Sequence, residues 1–178
     1  MSGQTLLGGS RWFLRRLLVT LVVALVVAAV ARQFTDGGGN DESVLGVGER
    51  ADGPRIGVDH WHALYQVIVC GQVQPPFAFW EGGVHTHDDN IIHIHPFLPS
   101  EEREGARLVK WFEYGGGLLS QTEMRMPGDS HAYRNGDECP DGSEGVLQVF
   151  VNGEEPDNWE GYIPQQGDTV IISFDAPR

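Results

Sequence analysis

Residues 60–70 read His60-Trp61-His62-Ala63-Leu64-Tyr65-Gln66-Val67-Ile68-Val69-Cys70, and this stretch decides the fold class. Side chains alternate across a strand, so Trp61, Ala63, Tyr65, Val67 and Val69 share one face. His60, His62, Leu64, Gln66, Ile68 and Cys70 share the other. Gln74-Pro75-Pro76 is expected to end or turn the strand. Downstream, Asn90 to His95 (NIIHIH) reads as a second strand, with Ile92 and Ile94 facing away from His93 and His95. Pro96 and Pro99 close it. Ser100-Glu101-Glu102 has the form of a helix start, a Ser cap followed by acids in the first turn. The helix is expected to reach Tyr114, with Ala106, Leu108, Val109 and Phe112 as its apolar stripe, and Gly115-Gly116-Gly117 to stop it. Val146 to Val151 (VLQVFV) and Thr169 to Phe174 (TVIISF) are strands, separated by the turn signals Asn152-Gly153 and Gly167-Asp168.

Strands, one helix, then strands predict a small α+β domain built on a mixed sheet. Its ending, VFVNGEEP at 149–156 and IPQQGDTVIISF at 163–174, resembles the close of a β-grasp domain, whose last strand often follows a Gly-Asp turn. A fold of that kind implies no particular function.

The chain has 178 residues, 12 basic and 25 acidic, with a net charge of −13. That sign argues against nucleic acid as the main partner, because a phosphate backbone needs a basic face. The charge is also uneven. Arg11, Arg15 and Arg16 are the only charged side chains before Arg32, and every acid lies at or beyond Asp36. Between them runs Leu17 to Ala31, fifteen uncharged residues (LLVTLVVALVVAAVA). A spanning helix takes about 20 apolar residues, and Arg32 and Phe34 extend this one by snorkelling and interfacial anchoring. The reading is a basic cytoplasmic segment at 1–16, a transmembrane anchor at 17–34, and a flexible acidic and glycine-rich linker at 35–55. The domain at 56–178 then stands outside the cytoplasm. The alternative is a cleaved signal peptide, for which Ala29-Val30-Ala31 has the small-x-small form. Either reading exports the domain, single-pass in one case and secreted in the other.

Two cysteines in an oxidising compartment, Cys70 and Cys139, read as a disulfide. The histidines carry the chemistry. Six of seven fall between His60 and His95 as three H-x-H pairs: His60/His62, His85/His87 and His93/His95. In a strand each pair points to one side, so two neighbouring strands can offer three or four ring nitrogens to one ion. Zinc and copper are the candidates, and the sequence does not choose between them. Asp88 and Asp89 follow directly and are placed to supply an oxygen or to orient an imidazole. A structural or pH-sensing histidine cluster is the competing explanation. His131, in a polar loop, is read as a bystander. Met124 and Met126 fit a half-buried strand as well as a Cu(I) site, and are left out of the site.

The combination D-H-W-H-A at 59–63, Cys70-Gly71, G-x-H-T-H-D at 83–88 and I-H-I-H-P-F at 92–97 resembles a family of bacterial membrane-anchored or secreted proteins. The resemblance covers about residues 58–140. It implies one exported domain whose fixed features are the histidine pairs and Cys70/Cys139, and it implies no activity. Gly83 to His87 is also similar to the copper-histidine segment of copper/zinc superoxide dismutases, but the downstream ligands of that family are not recognisable. The chain lacks H-E-x-x-H, G-x-S-x-G, a P-loop and G-x-G-x-x-G. No catalytic residue is assigned; Glu81, Asp88 and Asp89 offer only nearness in sequence. Three function classes remain: a membrane-tethered metal-binding domain, a metal-dependent redox or hydrolytic enzyme, and an interaction domain with structural histidines.

Overall fold

In a computed structural model, which describes residues 53–177, the alternating stretch forms strand β1, Trp61–Val69. Trp61, Ala63, Tyr65, Val67 and Val69 are all buried on one face, as the alternation requires. The expected basic segment, membrane anchor and nearly all of the linker lie outside the described residues. Among the described residues no helix is long and apolar enough to cross a membrane. Packing is already established at Gly53 and Pro54, both buried, where Arg103 N donates to Pro54 O.

β1 ends earlier than the proline pair suggested. Cys70 and Gly71 take φ of 49° and 74°, the left-handed pair of a two-residue hairpin turn, and β2 (Gln72–Val73) folds back on β1. The next strands are β3 (Val84–His85) and β4 (Ile91–Ile94), a hairpin whose β4 pairs antiparallel with β1. Ile92 and Ile94 are fully buried, so His93 of β4, and His95 just past its end, face the other way.

The helix departs from expectation. Two 3-10 turns, Pro99–Glu101 and Arg103–Ala106, precede a seven-residue helix α1, Leu108–Tyr114. Ser100 is not a cap. Glu101 folds back instead, accepting from Phe97 N at 2.8 Å and Leu98 N at 3.0 Å, which closes a capping box on the first 3-10 turn with Leu98 as its N-cap. Arg103 then takes a φ of 50°, and Arg107 is extended, so a continuous helix from Ser100 is broken twice. The buried stripe is Leu108, Trp111 and Phe112 at helical spacing, with Ala106 beside it and Val109 only partly covered. Trp111 packs edge-on to Tyr65 at 4.7 Å between ring centroids, which docks α1 on the core face of the sheet.

After α1, a three-stranded sheet of β5 (Leu118–Leu119), β6 (Glu123–Arg125) and β7 (Ala132–Arg134) follows, in a region to which the sequence reading assigns no sheet. Met124 and Met126 are buried there in the core cluster. The chain returns in β8 (Val146–Val151) and β9 (Thr169–Asp175). β9 runs parallel to β1 and antiparallel to β8, giving the order β3-β4-β1-β9-β8, with β2 also on β1. The domain is therefore a small mixed α+β structure with one α-helix and mostly sheet. Cys70 and Cys139 form the disulfide, with Cα atoms 5.6 Å apart, joining the end of β1 to the loop before β8.

The Gly167-Asp168 turn sets the parallel pairing. Gly167 has φ of 85°, and the buried Asp168 carboxylate accepts from Tyr162 Oη at 2.6 Å, Gln165 N at 2.7 Å and Asn152 Nδ2 at 2.8 Å. The same turn reaches the histidine strand: Gly167 N donates to His62 O, and His62 N donates to Gln166 Oε1. The backbone of His62 is thus held on both sides.

Candidate functional site

Strand register brings the three histidine pairs together. His85 lies opposite His93 across β3–β4, and His93 lies opposite His62 across β4–β1. One row across three strands therefore carries an imidazole from each pair, on the face opposite the core. The rings close into a circuit. His60 meets His62 at 4.7 Å between centroids, His62 meets His93 at 4.8 Å, and His93 meets His87 at 4.5 Å. His87 meets His85 at 4.5 Å, His85 meets His95 at 4.7 Å, and His95 returns to His60 at 4.9 Å. A further contact, His85 to His93 at 5.3 Å, crosses the circuit. His131 stands apart, exposed, with its ring on Tyr133.

The turn after β3 aims the cluster. Asp88 and Asn90 have φ of 66° and 58°, and between them Asp89 Oδ1 accepts from Ile91 N at 3.1 Å and, more weakly, from Thr86 Oγ1 and His87 N. The other oxygen of Asp89 lies 2.9 Å from His93 Nε2. Of the two aspartates singled out from the sequence, Asp89 orients a histidine, while Asp88 is an exposed turn residue. His85 is the buried member at 4% exposure, and Trp111 Nε1 donates to its carbonyl at 3.2 Å, so α1 pins it from the core side. Nε2 of His85 lies 2.7 Å from Nε2 of His87. His85 Nδ1 is buried without a hydrogen bond of good geometry, although the Gly82 backbone approaches the ring. Exposed Phe79 stacks on His87, and exposed Phe97 meets His95 edge-on, forming an aromatic rim.

Glu101, Trp111 and the two rim phenylalanines were not singled out from the sequence. Glu101 looked like an ordinary first-turn acid. It is in fact buried, and besides Phe97 N and Leu98 N it accepts from Gly83 N at 2.8 Å. Gly83 belongs there because a Cβ would lie 2.6 Å from Glu101 Oε2 and 2.7 Å from His95 O.

Three of the rings, His62, His85 and His95, resist protonation. Burial, then the neighbouring charges of His93, His60 and His95, lower His62 to about 4, against a weaker pull upward from Asp89. Burial, then His95, His87 and His93, lower His85 to about 4. Burial and His60 lower His95. Burial pushes the Asp89 carboxyl up, but its bond to His93 and the backbone N–H groups outweigh that and hold it below the ordinary range. His62 and His85 are thus neutral in the folded domain above about pH 4 and take up protons on unfolding below about 6.5. These two rings accordingly take nothing from stability above pH 6.5 and lower it as pH drops toward 4. Solvent screening around the partly exposed His62 tempers its share, and the two rings together should account for about 3 kcal/mol between pH 7 and 4.5, most of it from the buried His85. Urea unfolding of chelator-treated protein at both pH values, beside the His62→Gln/His85→Gln variant, measures this. An equal pH response in both proteins would contradict it.

Among the described residues, no group of three or more His, Cys, Asp or Glu is arranged to hold a metal ion as it stands. The rings adjoin, and His93 Nε2 is turned to Asp89. No family model, no curated protein and no solved structure matches this chain.

Proposed function

We propose that this chain is a membrane-tethered, extracytoplasmic module that binds a transition-metal ion, zinc or copper, through His60, His62, His85, His87, His93 and His95. The supporting observation is the closed circuit of six imidazoles. Two imidazoles bound at 2.0–2.1 Å in a tetrahedral site have ligating nitrogens about 3.3 Å apart and ring centroids about 5 Å apart. Neighbouring rings here lie 4.5 to 4.9 Å apart around the circuit. The 2.7 Å between the Nε2 atoms of His85 and His87 needs to open by only about 0.6 Å to admit a shared ion. His60 and His87 are exposed, so their rings can rotate to complete a ligand set that the empty arrangement lacks. Asp89 on His93 has the form of a carboxylate that orients a metal-bound imidazole.

Apart from the buried His85, the histidines stand outside the hydrophobic core, which closes on the opposite face of the sheet. That favours a binding role over a purely structural one. Depressed proton affinity at His62, His85 and His95 also suits ligation, which requires the neutral ring.

The test is a competition titration of the full chain with zinc and with copper(II) at neutral pH. Dissociation constants far below millimolar are expected. His85→Ala/His87→Ala should weaken binding at least a hundredfold, and His131→Ala should leave it unchanged. Wild-type affinity no tighter than millimolar for both metals would end the metal reading.

Export is part of the same proposal. It is supported by the basic head, the apolar stretch and the acidic remainder of the sequence, and by the disulfide, which persists in oxidising compartments. A reporter fused after Arg178 should be active only outside the cytoplasm, and cytoplasmic activity would refute the assignment. The sheet itself, with its first and last long strands parallel at the centre and an antiparallel neighbour on each outer side, favours a β-grasp-like reading.

A further inference from the structure

We propose that the six imidazoles make up two adjoining three-histidine sites, each for one divalent transition-metal ion: His85, His87 and His93 in the first, His60, His62 and His95 in the second. The inference rests on the metal-binding reading above and goes beyond it in number and partition. A single tetrahedral ion uses at most four protein ligands, and one with an open position uses three. Six rings in one closed circuit exceed what one ion can take.

The contacts divide the circuit. His85, His87 and His93 all touch one another, at 4.5, 4.5 and 5.3 Å. The remaining three are joined through His60, which touches His62 at 4.7 Å and His95 at 4.9 Å. The two groups meet only along the seams His62–His93 and His85–His95.

Each group also has a carboxylate nearby. Asp89 bonds His93 in the first. Near His95 of the second, the buried Glu101 carboxylate is anchored to Gly83 N, Phe97 N and Leu98 N and interacts electrostatically with His95. The aromatic rim follows the same division, with Phe79 on His87 and Phe97 on His95. Two ions held by three histidines each would both keep an open position, so the ligand class expected to bridge them is a small anion such as hydroxide.

Zinc stoichiometry of the full chain decides the matter, measured by elemental analysis against amino-acid analysis after loading with excess zinc and desalting. Two zinc ions per wild-type chain are expected. His60→Ala/His62→Ala should retain one, at the first site, and this variant leaves the buried His85 and the core untouched. His87→Ala/Asp89→Asn should also retain one, at the second site. A wild-type value of one zinc would overturn the two-site inference and leave the metal-binding proposal standing; a value of zero would remove both. Two in the wild type with none in either variant would overturn the partition into separate trios.

Discussion

Replacing Cys70 and Cys139 together by alanine is expected to lower the unfolding free energy by about 3–5 kcal/mol. The bond spans 69 residues of sequence, and closing a loop of that length removes about 4 kcal/mol of chain entropy from the unfolded state. Its placement adds to the effect. Cys70 closes the β1–β2 turn at a φ of 49°, so the bridge ties that hairpin to the loop before β8. Cys139 anchors the loop that delivers β8 to the sheet edge, through Cys139 N to Ser143 O and Gly142 N to Cys139 O. Domain stabilities of 5–15 kcal/mol are usual, so the loss is a large share of the total. Urea unfolding of wild type, wild type under reductant and the double variant measures it. Reduced wild type should match the variant, and a loss below 1 kcal/mol in both would refute the argument.

Local pattern carried much of this architecture. The alternation in β1, the apolar runs of β8 and β9, and the isoleucine spacing in β4 each follow from which side chains must leave water. The Cys70–Cys139 bond followed from compartment and number. The three H-x-H pairs were legible as pairs because spacing by two is a property of one strand. That they meet in one circuit was not legible, since it depends on the registers His85↔His93 and His62↔His93, which join segments distant in sequence. The broken helix start was hidden for a similar reason. Ser100-Glu101-Glu102 offers a Ser cap and first-turn acids, but Glu101 turns back to Phe97 N and Leu98 N and is also recruited by Gly83 N, a tertiary partner that no local pattern reveals. The small β5–β7 sheet was missed because its strands are two or three residues long and lean on one another.

Glu101→Ala is expected to cost about 3–5 kcal/mol and to loosen the histidine site at the same time. The carboxylate is 4% exposed and takes three backbone N–H groups, at 2.8, 2.8 and 3.0 Å. Burial alone would push its carboxyl up; the three donors outweigh burial and hold it ionised below the ordinary range. Hydrogen bonds to a charged group contribute about 1.5–3 kcal/mol each, and a buried N–H left without a partner costs about 1–3 kcal/mol. Some of that loss is recovered as water enters, which keeps the total below the simple sum. The contribution is present above the unfolded carboxyl's titration and is lost as pH falls through the depressed folded value. The site feels the change because Gly83 O receives His95 N at 2.7 Å, so Glu101 and the Gly83–His95 pair hold β3 and β4 in register. Glu101→Gln keeps one acceptor oxygen but loses the charge, and should fall between wild type and alanine in stability. Both variants should bind zinc at least tenfold more weakly than wild type, and alanine the more weakly of the two. Urea unfolding and zinc competition measured on the same preparations separate the two effects. If Glu101→Ala unfolds within 1 kcal/mol of wild type, the three N–H groups have found other acceptors and the carboxylate is not the tie between the strands.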